Sequence, residues 1–248
     1  MKALVVIDPQ NDFCPGGALA VAEGDSIMQP INEMMGAFDL VILTQDWHPQ
    51  GHSSFASSHD GAAPFSLTEM PYGPQVLWPD HCIQGSDGAA FHPALDTVRA
   101  DAVIRKGSNP AVDSYSAFFE NDKATATGLA GLLRDRGCED LTMVGLATDY
   151  CVAWSALDGV ANGFRVEVRL PTCRAIDLDG SLDKSLADMR AAGVTLVSWE
   201  SAPTATRDDG GSGRTLGVSP DYLFGVACAG AQTMLSGFGS VYFEFVLK

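Results

Sequence analysis

Basic residues are scarce in this chain: 15 Lys and Arg stand against 31 Asp and Glu, a formal net charge of −16. A surface that acidic repels phosphate backbones and anionic headgroups, which excludes nucleic acid and membrane as expected partners. The six cysteines (14, 82, 138, 151, 173 and 228) have no short paired spacing. That excludes a zinc ribbon and a CxxC redox motif, and even parity in 248 residues does not amount to a disulfide framework. No internal repeat is present. Met1-Lys2 leads directly into the apolar run Ala3-Leu4-Val5-Val6-Ile7, which is too short for a signal peptide, so a reducing cytoplasm is expected. Tyr222–Phe243 lacks charge over a bilayer's length, but its glycines, serines and Gln232 make it a poor membrane helix.

What the chain does contain is strand–helix alternation. Ala3–Asp8, Asp39–Gln45, Ala102–Arg105, Leu141–Leu146, Val166–Leu170 and Val194–Val197 read as strands, several of them unbroken apolar runs suited to a sheet buried on both faces. Asp25–Phe38, Thr127–Gly137, Tyr150–Ala161 and Ser181–Ala192 read as helices, the first kinked at Pro30 and the second ended by Gly137. The pattern predicts an α/β fold: a mostly parallel central sheet with helices on both faces, joined by right-handed crossovers. It spans residues 1–200. Ser201–Gly213 then has linker composition, and Leu216–Lys248 is an apolar extension without a period. Residues 49–100 dissolve into Gly, Pro, Ser, His and aromatics, and a connection of that length in a compact domain is expected to be functional.

Chemistry collects at the strand ends. Asp8, then Asp46 and His48, then Lys106, then Cys151 each follow a strand, and loops at the carboxyl ends of parallel strands form the ligand crevice. Taken singly, each has a structural explanation: a loop cap, a solvated charge, an Asp–His pair, a buried thiol. Four on one rim predict a catalytic crevice. Thr148 is placed to cap the helix that carries Cys151, whose position near the helix N-terminus predicts a lowered thiol pKa. A nucleophilic thiol needs a base or positive neighbours, which Asp8 and Lys106 can supply. Asp46 and His48, with His52 and His81 in the loop beyond, are the ligand types that Zn²⁺, Fe²⁺ or Mn²⁺ accept. Gly145-Leu146-Ala147 puts small residues where backbone must approach a substrate.

These residues resemble a known family. VIDPQNDFCPGGAL around Asp8, Asp46-Trp47-His48-Pro49, Gly51-His52-Ser53-Ser54-Phe55, Trp78-Pro79-Asp80-His81-Cys82, Lys106-Gly107 and VGLATDYCV around Cys151 look like the nicotinamidase/pyrazinamidases, in that family's order over roughly residues 1–200. Those enzymes belong to the isochorismatase-like cysteine hydrolases, which have a Rossmann-like three-layer fold. The resemblance implies a catalytic triad of Asp8, Lys106 and Cys151, and an oxyanion hole from the backbone of Ala147 and Cys151 beside a cis Leu146–Ala147 peptide. It implies one divalent metal, zinc before iron or manganese, on Asp46, His48 and His81, with His52 at a fourth position that ligates in only some members. Phe13, Trp78 and Tyr115 match aromatic positions around the pyridine ring. The implied reaction turns nicotinamide and water into nicotinate and ammonia, with pyrazinamide a second substrate, so the expected partner is a small molecule, with a homo-oligomer open. The alternatives are a carbamoyl or ureido hydrolase of the same superfamily, which lacks the combined Asp46, His48 and His81 set, or a catalytically dead small-molecule binder.

Overall fold

A computed structural model describes residues 1–198 of the chain, so the expected linker and extension of residues 201–248 lie outside the described residues. Six strands form one parallel sheet: β1 (Lys2–Ile7), β2 (Leu40–Asp46), β5 (Ala102–Lys106), β6 (Asp140–Leu146), β7 (Arg165–Arg174) and β8 (Thr195–Val197), in the order β5-β2-β1-β6-β7-β8. Its centre is β1, buried from Ala3 to Ile7, with β2 buried along its whole length. Helices α1 (Met28–Met35), α2 (Leu129–Asp135), α3 (Ala153–Ala161) and α4 (Ser181–Ala191) join the strands. The chain builds outward from β1 through β2 to β5, then returns to the other side of β1 at β6. Right-handed crossovers in opposite directions cover opposite faces of the sheet, and the reversal between β1 and β6 creates the switch-point crevice.

Several boundaries depart from the sequence reading for local reasons. The helix expected over Asp25–Phe38 is a 3₁₀ turn at Gly24–Ile27 followed by α1. Pro30 falls in the first turn of α1, where the backbone N–H has no intrahelical partner, so it starts the helix rather than kinking it. β7 continues past Leu170 through Pro171 to Arg174, and its register against β6 shifts between Met143 and Gly145. Gly137, at φ +67°, closes α2 as its composition suggested. The segment expected to be patternless holds an antiparallel hairpin, β3 (Leu67–Met70) and β4 (Gly73–Val76), separate from the main sheet. Among the described residues no helix is long and apolar enough to cross a membrane.

Candidate active site

Each reactive side chain arrives on the carboxyl end of one of four adjacent strands. Asp8 leaves β1 with φ +46°. Its N–H donates to Thr44 Oγ1 (3.0 Å) and its Oδ1 accepts from the same hydroxyl (2.6 Å), so β2 fixes the carboxylate. Asp46 ends β2 and is bracketed by the Gln10 amide, which accepts from its N–H (2.7 Å) and donates to its carbonyl (2.8 Å). Lys106 lies directly across from Asp46 in the β2–β5 ladder. Sequence reasoning passed over Thr44 and Gln10, although Gln10 stands inside the motif that carries Asp8.

Lys106 is the hub. Its buried Nζ sits 2.9 Å from Asp8 Oδ2 and 2.9 Å from Asp46 Oδ1, donates to the Ser114 carbonyl at 2.7 Å, and lies 3.5 Å from Cys151 Sγ. Burial alone would strip the proton from such an amine. Asp46, Asp8 and Cys151 outweigh it and hold the lysine pKa well above its usual value. Burial likewise raises Asp8, with Lys106 pulling it back, while His48 and Lys106 overcome the burial of Asp46 and keep it well below the usual carboxylate range.

Cys151 lies in the opening turn of a helical segment, as the sequence placed it, but the turn and its cap are not the ones expected. A π-helical turn, Thr148–Val152, precedes α3; Ala147 holds the N-cap position in extended backbone, and Thr148 makes no cap. The thiol is not acidified either. Burial, Asp8 and Asp46 push it well above the usual thiol range, and Lys106 is the cause that lowers it. The expected helix-terminus effect is overridden because the sulfur is removed from water between two carboxylates. Tyr150 and Val152 N–H groups donate to the Ala147 carbonyl (3.2 and 3.1 Å), and the Leu146–Ala147 peptide is cis. Gly145, expected to admit substrate, instead admits β1: at φ +120°, a Cβ there would collide with the Ile7 backbone.

Beside this cluster, Asp46, His48 and His81 each offer a ligand atom, all within 4.8 Å of one another. Asp46 Oδ2 lies 3.2 Å from His48 Nε2 and 3.5 Å from His81 Nε2. The other ring nitrogens face carbonyls, His48 Nδ1 at Gly107 O (2.9 Å) and His81 Nδ1 at Pro79 O (2.8 Å). A carbonyl there requires Nδ1–H, so each Nε2 facing Asp46 needs a proton or a cation between them: a two-nitrogen, one-oxygen set that fits a divalent cation. His52 is grouped instead with His48 and Asp113. Its Nε2 faces the carbonyls of Asn109 (2.8 Å) and Val112 (3.3 Å), and its Nδ1 accepts from Ser54 N–H (3.1 Å), so both nitrogens are engaged; its ring packs on His48 with centroids 4.4 Å apart.

A cleft opens onto these groups. Phe13, Trp78 and Tyr115 line it together with Asp46, His81, Ala147 and Cys151. Tyr115 meets Trp78 edge-on at 6.1 Å, and Phe13 lies 5.6 Å from the His81 ring. The cleft also takes Leu19, Asp113, Tyr150 and Ile176, none of which sequence reasoning singled out. Tyr150 was legible in principle, as the neighbour of the candidate nucleophile. Asp113 and Ile176 come from loops that carry no periodic signal.

The isochorismatase domain family matches residues 2–201. The nicotinamidase of Acinetobacter baylyi is 52% identical over 196 residues, covering 79% of this chain and 92% of that protein. Among solved structures, a nicotinamidase/pyrazinamidase of Acinetobacter baumannii superposes with a TM-score of 0.79 at 52% identity, over 79% of this chain and 95% of that one. A pyrazinamidase of Pyrococcus horikoshii, solved in complex with zinc, superposes with a TM-score of 0.65 at 34% identity, over 80% of this chain and 99% of that one. The parallel sheet, the strand-end cluster and these likenesses agree: the chain belongs to the isochorismatase family and, within it, to the nicotinamidases.

Proposed function

We propose that the chain hydrolyses nicotinamide to nicotinate and ammonia, and pyrazinamide to pyrazinoate, through a thioester on Cys151. One observation carries this reading: a buried ammonium, Lys106, lies 3.5 Å from the thiol and 2.9 Å from each of two carboxylates, and two of these partners, Cys151 and Asp46, line an aromatic cleft. Asp8 Oδ2 and Cys151 Sγ share the Lys106 ammonium, at 2.9 and 3.5 Å. Because burial keeps the proton on sulfur at rest, the thiolate forms only as the proton passes to Asp8 and Sγ attacks the carboxamide carbon. Lys106 balances the charge that moves onto sulfur. The backbone N–H groups of Ala147 and Cys151 receive the oxyanion; one such donor is typically worth about 2.7–4 kcal/mol. The C–N bond then breaks, Asp8 returns its proton to the leaving nitrogen, and ammonia departs from the acyl thioester. Asp8 next takes a proton from water, whose oxygen attacks the thioester carbon. The C–S bond breaks, sulfur recovers the proton, and nicotinate leaves.

Asp46, His48 and His81 are the residues we assign to the metal, zinc before iron or manganese. When bound, the ion supplies a Lewis-acidic position for the pyridine nitrogen, which orients the amide. His52, with both ring nitrogens engaged, braces the His48 ring. Phe13, Trp78 and Tyr115 enclose the heterocycle. The five cysteines among the described residues are all free, which supports a reducing, cytoplasmic setting. The test is ammonia release from nicotinamide before and after chelation: activity should vanish and return with Zn²⁺, Fe²⁺ or Mn²⁺. Full turnover by a protein carrying no stoichiometric metal would overturn the ligand assignment.

A further inference from the structure

Behind the cleft, one fully buried amide joins three of its walls. Gln75 lies on β4, in the hairpin that stands apart from the main sheet. Its Nε2 lies 2.8 Å from the Val76 carbonyl, 2.7 Å from Asp113 Oδ2 and 2.8 Å from Tyr115 Oη. Its Oε1 accepts from Tyr72 Oη (3.2 Å) and Asn121 Nδ2 (3.2 Å). The amide orientation follows from these neighbours, because a carbonyl and a carboxylate can only accept and the Asn121 nitrogen can only donate. Trp78 Nε1 also donates to Tyr115 Oη, at 3.1 Å. The two Nε2 hydrogens of Gln75 are shared among three acceptors, Tyr115 Oη one of them, and Trp78 Nε1 donates to the same hydroxyl. Asn121 returns from below to accept the Tyr115 backbone N–H at 3.0 Å.

Tyr115, Trp78 and Asp113 all line the cleft, whereas Gln75 does not. A buried amide with neighbours on every polar atom costs little only while all of them are present. We propose that Gln75 is a positioning residue for substrate binding: it fixes the angle of Tyr115 against Trp78, and so sets the cleft's preference for a flat aromatic amide. It acts through the tyrosine hydroxyl and touches neither the reacting atoms nor Asp46, His48 or His81 directly; its Asp113 partner lies 3.8 Å from His48 Nε2, which is why bound metal is measured alongside. This rests on the nicotinamide reading, so ammonia release by the unaltered protein is measured first; no release would defeat that reading and leave the test of Gln75 to binding alone.

Gln75→Met keeps the volume and removes the hydrogen bonds. KM for nicotinamide should rise about tenfold while kcat changes less than about threefold, a loss of ground-state and transition-state binding together. The preference for nicotinamide over cyclohexanecarboxamide should fall by a similar factor. Bound metal per chain should stay at the unaltered value. Tyr115→Phe should reproduce the KM effect, and the double variant should cost no more than either single one, since both break the same link. Kd for nicotinamide in a Cys151→Ala background, read by calorimetry, gives the same comparison without turnover. Unchanged KM, Kd and selectivity in Gln75→Met would overturn the proposal. So would independent, multiplying effects in the double variant, or a fall in kcat accompanied by loss of metal, which would make Gln75 a general structural support.

Discussion

At the scale of single residues, the proposed mechanism starts from a poised proton rather than from a standing thiolate. Burial, Asp8 and Asp46 raise the Cys151 thiol and only Lys106 lowers it. The signs lead to opposite shifts in two variants. Lys106→Met removes the lowering cause, so iodoacetamide should alkylate Cys151 only at higher pH than in the unaltered protein. Asp8→Asn removes a raising cause, so its alkylation profile should move to lower pH even though turnover falls on the order of 10³-fold with the loss of the proton carrier. Alkylation rate against pH, followed by peptide mapping of the metal-loaded protein, checks both; shifts in the same direction would contradict the account. The residue types of this cluster were legible in the sequence, because each stands immediately after an apolar run. The direction of the thiol pKa was not. It depends on the Asp8 and Asp46 carboxylates, brought to the sulfur by the ladder across β1, β2 and β6, which no spacing along the chain records.

At the scale of elements, the π-helical turn and the β7–α4 connection are bolted together by Asp149. Its Oδ1 accepts from Ile176 N–H (3.0 Å), and its Oδ2 accepts from Asp177 N–H (2.8 Å) and Ser181 Oγ (2.5 Å). Its carbonyl accepts from Ser185 Oγ at 2.9 Å. The carboxylate is spent on donors of another segment, one of which belongs to the cleft residue Ile176. Asp149→Ala would remove the acceptor from three part-buried donors, one of them on exposed Asp177 where water can replace it, at a cost of about 1–2 kcal/mol. Urea unfolding should register that loss, and nicotinamide KM should rise as the Ile176 wall loosens; unchanged stability would refute the bolt. The strands and helices were readable from hydrophobic period, with ends off by a few residues. The β3–β4 hairpin was not, since Leu67–Met70 is half exposed and Gly73-Pro74 breaks any strand pattern.

At the scale of the whole molecule, the order β5-β2-β1-β6-β7-β8 explains why residues as far apart as Asp8 and Cys151 meet: they follow the two strands on either side of the switch point. That fold class was legible because alternation alone implies it. The approach of His81 to Asp46 and the polar web behind Tyr115 were not, because both come from the long connection, whose shape is set by contacts rather than by period. The six strands are complete by Val197, and the family match ends at residue 201. A chain ending at Glu200 should therefore fold and keep nicotinamidase turnover within about twofold; gel filtration and an ammonia assay decide it, and an insoluble or inactive product would show that the remaining residues are needed.

Covalent catalysis by Cys151 predicts an acyl-enzyme that acid quenching can trap. Protein mixed with excess nicotinamide, stopped within a turnover and digested, should carry a nicotinoyl thioester on the peptide containing Cys151 and on no other cysteine. The adduct should disappear with longer incubation as nicotinate forms, and Cys151→Ala should yield neither adduct nor ammonia. Steady ammonia release from Cys151→Ala, or an acyl group trapped on a different cysteine, would contradict the mechanism.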